Sequence, residues 1–339
     1  MAATIKDIAR RLNISISTVS YALNDGPRPV PPEVRDKVLA VARELEYRPN
    51  QLARAMATGR ADTIAVVPPR DAHPLLLSPY LQAVLTHIIE AAEELEQDIL
   101  LRTTGDSDSG TLNRTVLSGK ADGLLLIAPH QGSQLAAEAA RHAFPCVVFS
   151  ADAPPGAVSV SMDNDAATKT ALEYLISLGH RRIGHLTGRD GLRDSNLRQR
   201  AFREVMTANN LPLREEWILP GDFMYQRGRE AAERIFSLPE RPTALLAAND
   251  ESGIGAMDAA LALGLRIPED ISIMGFDCLP QEIFASRRLT SMRQPLPDMA
   301  RESIRLLAQW AQEPGFIPPA TQNFPAEIVI QATTAPAAG

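Results

Sequence analysis

The sequence predicts a small all-α head followed by a much larger α/β body of two lobes, and three observations carry that reading. Its 339 residues with 45% apolar content are enough for two or three domains, each with its own core. Charge is uneven: net charge is −7 overall, yet residues 1–60 hold ten Lys/Arg against six Asp/Glu (+4), leaving 24 against 35 (−11) for the rest. From residue 61 onward, short apolar runs alternate with helical stretches, the pattern of parallel strands covered on both faces.

In the head, Thr4 and Asp7 have capping-box spacing, and Ile5, Ile8, Ala9 and Leu12 recur at i, i+3, i+4 and i+7, which predicts a helix over roughly Ile5 to Leu12. Asn13 and Ile14 form a short turn. Ser15 can cap a second helix with Val19, Ala22 and Leu23 on its apolar face, stopped by Asn24-Asp25-Gly26-Pro27. A third begins near Pro32 and Glu33 and buries Val34, Val38, Val41 and Leu45. Two short helices joined by a short turn are a helix-turn-helix candidate. The basic balance points to a polyanion partner, because Lys and Arg bind phosphates by displacing counterions. Ile16, Ser17, Thr18 and Tyr21 lie away from the apolar face of the second helix.

The order and spacing of these pieces are specific. Thr4-Ile-Lys-Asp-Ile-Ala9, Ile14-Ser-Ile-Ser-Thr-Val-Ser-Tyr-Ala-Leu-Asn24 and Tyr47-Arg-Pro-Asn50 resemble the head of the LacI/GalR transcription regulators. That resemblance implies a second helix in the DNA major groove, with Ile16, Ser17 and Tyr21 reading bases and Thr18 and Ser20 nearer the backbone, and with Thr4 and Asn24 also among the DNA-binding residues. Tyr21 stands where relatives often carry Arg, and Pro31 where they usually carry a capping Ser or Thr. Residues 47–60 then correspond to a hinge. Asn50 to Ala57 is helix-permissive and short enough to fold only on binding. By resemblance, Asn50, Ala53 and Arg54 meet DNA there, Met56 is the minor-groove wedge, usually Leu in relatives, and Arg60 adds a phosphate contact.

In the body, strands are expected at Ile64 to Val67, Ile99 to Leu101, Leu124 to Ile127, Val147 to Phe149, Ile183 to Leu186, Leu245 to Ala248 and Ile271 to Met274. About 270 residues of this pattern exceed one sheet domain, so two lobes with a cleft between them are expected. Leu178-Gly-His-Arg-Arg-Ile-Gly-His-Leu-Thr-Gly188, Pro242-Thr-Ala-Leu-Leu-Ala-Ala-Asn-Asp250, Ile271-Ser-Ile-Met-Gly-Phe-Asp277 and Leu289-Thr-Ser-Met-Arg-Gln294 extend the resemblance to the family's effector domain. It implies a periplasmic-binding-protein-like body of two doubly wound parallel sheets joined by three crossovers, expected near 160, 289 and 320. The resulting division is a DNA-binding head over 1–46, a hinge over 47–60 and an effector-binding, dimerising body over 61–339. Lobe 1 takes about 61–160 and 290–320, lobe 2 about 161–289 and 321–339.

The resemblance carries effector contacts onto Arg198 and Asp277, a guanidinium and carboxylate suited to vicinal hydroxyls or a purine edge. It adds Asn249 after a buried strand, and Phe223 as a stacking ring. Tyr80, at the start of the first-lobe helix, can close the pocket. Ser150 stands where relatives frequently carry an Asp. The loop from Pro68 to Pro79 is long and apolar, and Leu75 to Leu77 could line the cleft or pack elsewhere. His180 and His185 are read as structural.

Other classes find little support. There is no Gly-x-Ser-x-Gly elbow, P-loop or H-E-x-x-H, and Cys146 and Cys278 signal neither metal nor disulfide framework. No cofactor is expected. The polar N-terminus and the absence of a long apolar run predict a cytoplasmic protein without a membrane span. The Pro/Ala-rich end lacks heptads, so no tetramerising coiled coil is expected. The expected function is a homodimeric repressor on a pseudopalindromic operator, released by a small carbohydrate. The alternatives are a regulator co-repressed by a purine or other metabolite, a sugar-binding receptor, and an α/β enzyme.

Overall fold

The computed structural model describes residues 3–24, 29–47, 59–69, 78–102, 119–130, 133–279 and 288–337, and the chain divides into two units after Ala61.

The head is three helices, α1 (Ile5–Leu12), α2 (Ile16–Asn24) and α3 (Pro32–Glu44). The Asp7 carboxylate closes the start of α1, accepting from the Thr4 backbone N–H (2.9 Å) and the Thr4 hydroxyl (2.6 Å). Asn13 ends it in the left-handed conformation (φ 50°), which Asn tolerates better than most residues, and this turns the chain into the next cap. There Ser15 Oγ accepts from the Thr18 N–H at 3.0 Å. Pro31 and Pro32 start α3 without a side-chain cap. Ile8, Val19 and Val38 are fully buried, with Ala9, Ala22, Val41 and Ala42 around them and Tyr47 packed on their edge. Burial of each larger aliphatic side chain contributes about 1.5–3 kcal/mol, so this small cluster, more than the exposed Arg11–Glu44 ion pair (2.6 Å), holds the head together.

The body contains two six-stranded sheets. The first is built from β1 (Thr63–Val67), β2 (Asp98–Leu101), β3 (Gly123–Ile127), β4 (Cys146–Phe149), β5 (Val158–Met162) and β11 (Thr321–Phe324). Its order is β11-β5-β4-β3-β1-β2, all parallel. Period-two alternation sends Ile64, Val66, Leu125 and Val147 to one face, against α4 (Pro79–Glu94) and α10 (Leu296–Gln312). Ala65, Val67, Leu124, Leu126 and Val148 go to the other, against α5 (Leu135–Arg141). With both faces covered, the strands read as continuous apolar runs.

The second sheet contains β6 (Ile183–Thr187), β7 (Ile218–Pro220), β8 (Ala244–Ala247), β9 (Ser272–Asp277), β10 (Thr290–Arg293) and β12 (Glu327–Val329). Its order is β12-β10-β9-β8-β6-β7, parallel except for the antiparallel edge strand β12. Around it lie α6 (Asn164–Ser177), α7 (Arg193–Ala208), α8 (Tyr225–Phe236) and α9 (Asp250–Ala262). Helices α8 and α9 approach so closely that a Cβ on Gly228 would lie 2.4 Å from the Ser252 carbonyl oxygen. His180 ties Thr243, Ser272 and the Ala335 carbonyl together (3.0–3.1 Å), and His185 bonds the Leu246 carbonyl (2.8 Å) while stacking on Phe202.

Two crossovers differ from expectation. Residues 290–293 belong to the second sheet, because β10 pairs with β9 in the register Thr290↔Met274 to Arg293↔Asp277; the crossover follows Arg293 and not residue 289. Residues 321–324 belong to the first sheet, paired with β5 from Thr321↔Ser159 to Phe324↔Met162, so the last crossover lies beyond 320, between β11 and β12. Thr-Ser-Met-Arg and Thr-Gln-Asn-Phe are short and largely polar, and their backbone pairing, not an apolar run, decides their sheet.

Candidate functional site

On the head, Ile16 is 45% exposed despite being aliphatic, and Ser17 is exposed beside it. Thr18, Ser20 and Tyr21 are half-buried, while Thr4 is exposed at the start of α1. Thr18 is partly committed to the cap, its hydroxyl 2.8 Å from Ser15 Oγ. Val19 is buried in the core, so the outward face of α2 is Ile16, Ser17, Ser20 and Tyr21. Asn24 is the last residue of α2. Asn50, Ala53, Arg54 and Met56 lie outside the described residues, as do Leu75 to Leu77; Arg60 is half-buried.

In the body, a cleft of about 640 Å³ opens between the lobes, and its lining includes Tyr80, Ser150, Arg198, Phe223, Asn249 and Asp277. All six sequence-derived candidates therefore converge on one space. Several reach it because the chain turns left-handed at the carboxyl ends of strands: φ is 57° at Ser150, 60° at Phe223 and 104° at Asp277. Such conformations cost a non-glycine residue roughly 1–3 kcal/mol and concentrate at binding sites.

Arg198 projects from α7 and is 2% exposed. Its Nε donates to Asn164 Oδ1 (2.7 Å) and its Nη1 to the Ala248 carbonyl. The guanidinium lies 4.4 Å above the Phe276 ring and 5.9 Å from that of Phe223. Among the described residues Nη2 has no hydrogen-bond partner, and no carboxylate oxygen lies within 4.0 Å of the guanidinium. The side chain is held rigidly on one edge and left open on the other.

Asp277 ends β9, and its Oδ1 accepts from Gln294 Nε2 at 2.6 Å. Burial pushes its carboxyl up to about 7 against the pull of Arg198, and Asp194 adds to the upward push. Behind it, Asp250 accepts from Ser291 Oγ (2.6 Å) and the Leu279 N–H (2.8 Å); burial, then the charge of Asp277, holds it well above the ordinary range.

Asn249 caps α9: its Oδ1 accepts from the Ser252 N–H (3.0 Å) and hydroxyl (2.6 Å), and its Nδ2 donates to the Phe223 carbonyl (3.0 Å). Its acceptor is thus used within the protein, and it also fixes the Phe223 backbone. The Phe223 ring lies against Gly188, where a Cβ would come within 2.1 Å of the ring. From the first lobe, the Tyr80 hydroxyl meets Ser150 Oγ at 3.1 Å, and burial raises the phenol further above its ordinary value, keeping it a neutral hydroxyl.

Among the lining residues that sequence reasoning missed are Asp194, Arg193, Glu251 and Gln294. Asp194 lies one turn before Arg198 on α7, a spacing that puts both on one face; its Oδ1 accepts from Asn164 Nδ2 (2.9 Å), and burial raises its carboxyl against the pull of Arg198. Arg193 Nε spans to Asp152 of the first lobe at 2.6 Å. Burial, then Asp277, pushes Glu251 up to about 7. Gln294 was visible only as the end of a family motif.

Among the described residues no group of three His, Cys, Asp or Glu side chains could hold a metal ion, and no helix is long and apolar enough to cross a membrane. A helix-turn-helix head in the same chain as a two-lobed α/β body with a polar cleft defines a ligand-responsive DNA-binding regulator. Residues 4–50 match the bacterial regulatory proteins of the lacI family, and residues 172–334 match a periplasmic binding protein-like domain. The transcriptional repressor PurR of Serratia proteamaculans is 31% identical, over 90% of this chain and 89% of that protein. Catabolite control protein A of Priestia megaterium is 29% identical, over 91% and 93%. The Lac repressor dimer bound to operator and the anti-inducer ONPF superposes with a TM-score of 0.84 at 25% identity, covering 99% of this chain and 100% of that one. The chain belongs to the LacI family of bacterial transcription regulators. Membership sets aside the enzyme and transport-receptor alternatives.

Proposed function

We propose that the protein is a cytoplasmic homodimeric repressor whose two heads occupy adjacent half-sites of a pseudopalindromic operator, and that a small carbohydrate bound in the cleft releases it. The observation that supports this most is the convergence of Arg198, Asp277, Asn249 and Phe223 from the second lobe with Tyr80 and Ser150 from the first. A sugar has hydroxyls for the charged groups and an apolar ring face for Phe223. On the head, Ile16, Ser17 and Tyr21 read base edges in the major groove, with Thr18 and Ser20 at the backbone and Thr4 and Asn24 also meeting DNA. Asn50, Ala53, Arg54 and Met56 act in the hinge at the operator centre. Effector closure of the cleft moves the first lobes across the dimer and separates the hinges, with a coupling of roughly 1–3 kcal/mol, or about 5- to 150-fold in operator affinity.

The test is fluorescence anisotropy at physiological salt, with a pseudopalindromic duplex from the protein's own upstream region and a scrambled duplex, with and without pooled sugars. Tight binding to the first duplex alone, released by sugars, is expected. Specific binding that sugars leave unchanged or tighten would contradict the carbohydrate reading and point to a purine or other co-repressor. Tyr21→Ala should weaken specific binding more than non-specific binding; equal loss on both duplexes contradicts base reading.

A further inference from the structure

The cleft's unused hydrogen-bonding capacity is unbalanced. Five acidic side chains line it, Asp190, Asp194, Asp222, Glu251 and Asp277, against three arginines, Arg189, Arg193 and Arg198. Arg193 is directed to Asp152 through Nε and lies 3.5 Å from Asp194 Oδ1 through Nη1, and Arg198 spends Nε and Nη1 on Asn164 and Ala248. Glu251, in the first turn of α9, makes no hydrogen bond or ion pair among the described residues, and Asp194 Oδ2 accepts nothing from them. Gln294 is an independent observation: it is 4% exposed, its Nε2 is committed to Asp277, and its buried Oε1 has no partner. With Asp277 ionised, the committed nitrogen fixes the amide orientation, because a carboxylate offers no hydrogen to an amide oxygen.

Against the open donors Arg198 Nη2 and Arg193 Nη1, the open positions are mostly acceptors, and three of them belong to carboxylates on the second lobe. Asp277 is within electrostatic reach of both Asp194 and Glu251. Carboxylates removed from water need a proton or a cation, since an uncompensated buried charge is costly. An anionic ligand would worsen the imbalance. A neutral hydroxyl would satisfy one acceptor while leaving the charge. An ammonium group offers three donors, no acceptor and the missing positive charge.

Resting on the carbohydrate reading above, we infer that the effector is an amino sugar, whose ammonium group is received by the Asp194, Glu251 and Asp277 wall while its ring hydroxyls meet Arg198 and Tyr80. Glu251 is then a specificity-determining residue, selecting for the amine and against phosphorylated and acidic sugars.

Isothermal titration calorimetry of the full chain against 2-, 3- and 6-amino glucose and galactose, their neutral parents and the corresponding uronates tests this. At least one amino sugar is expected to bind about tenfold or more tightly than its parent, with no uronate binding. Glu251→Gln should reduce that preference to about threefold or less, and Asp194→Asn should act in the same direction; a cooperative thermal transition in each variant certifies folding. A neutral parent or uronate that binds as tightly as the amine overturns the inference but leaves the carbohydrate reading intact. Failure of every amino sugar to bind also overturns it, and the operator-release experiment with pooled sugars then decides the carbohydrate reading separately. A preference that survives both substitutions overturns the assignment of the carboxylate wall.

Discussion

The two walls of the cleft are made of different chemistry. The first lobe offers the paired hydroxyls of Tyr80 and Ser150 beside apolar Leu81, Ile127 and Pro129, with His130 and Tyr80 as its titratable lining residues. The second lobe offers a guanidinium clamped between Asn164 and Ala248, an aromatic ring, and three carboxylates that burial pushes upward. Under the proposed function the lobes do different work: the second selects through its ionisable groups, while the first closes with hydroxyls and apolar side chains. The Arg193–Asp152 ion pair crosses between them.

Removing the clamp should break the comparison most severely. Arg198→Ala leaves Asn164 Oδ1 and the Ala248 carbonyl without their donor and removes the cation that offsets Asp277, so effector affinity should fall by about 100-fold or more. Operator binding should persist, and anisotropy with and without effector checks both. Next in size is Gly188→Ala, whose Cβ would meet the Phe223 ring at 2.1 Å; the ring must swing away, and calorimetry should show about a tenfold loss of effector affinity. Tyr80→Phe removes one neutral hydroxyl from the first lobe, and should cost only about threefold. A loss as large as that of Arg198→Ala would mean that the first lobe also selects.

The smallest effect is one of pH. Asp277 and Glu251 have folded pKa values raised to about 7, so their contribution to stability is present below the ordinary carboxylate pKa and is lost as pH rises through 7. His185, buried and lowered to about 4, acts oppositely: its contribution is present above its ordinary value of 6.5 and is lost as pH falls toward 4. From pH 6.5 to about 7.5 the carboxylates therefore act with little opposition. The thermal midpoint of the body should fall across that interval, and Glu251→Gln should flatten the slope.

Much of this arrangement is legible in the sequence, for definite reasons. The Thr4/Asp7 spacing marked the start of α1, and apolar runs such as Leu124 to Ile127 marked strands buried on both faces. Family motifs led to Arg198 and Asp277, which the fold brings into one cleft. Periodicity did not reveal β5, where Val-Ser-Val-Ser-Met looks half solvated yet is wholly buried: the Ser159 hydroxyl donates to the Ala151 carbonyl (2.7 Å), whereas Ser161 Oγ has no hydrogen-bond partner among the described residues. Nor did it sort β10 and β11 between sheets, which long-range pairing decides. Asp194 and Glu251 read as ordinary first-turn acids that favour a helix N-terminus. Only their burial beside Asp277 distinguishes them.

The most direct measurement of effector control is reciprocal. The dissociation constant of the releasing sugar should be determined by calorimetry for the free protein and for the protein saturated with its operator duplex. Linkage requires the sugar to bind the operator complex more weakly, by the same factor by which the sugar weakens operator binding, roughly 5- to 150-fold. Equal sugar affinities for the free and operator-bound protein would contradict release through the cleft.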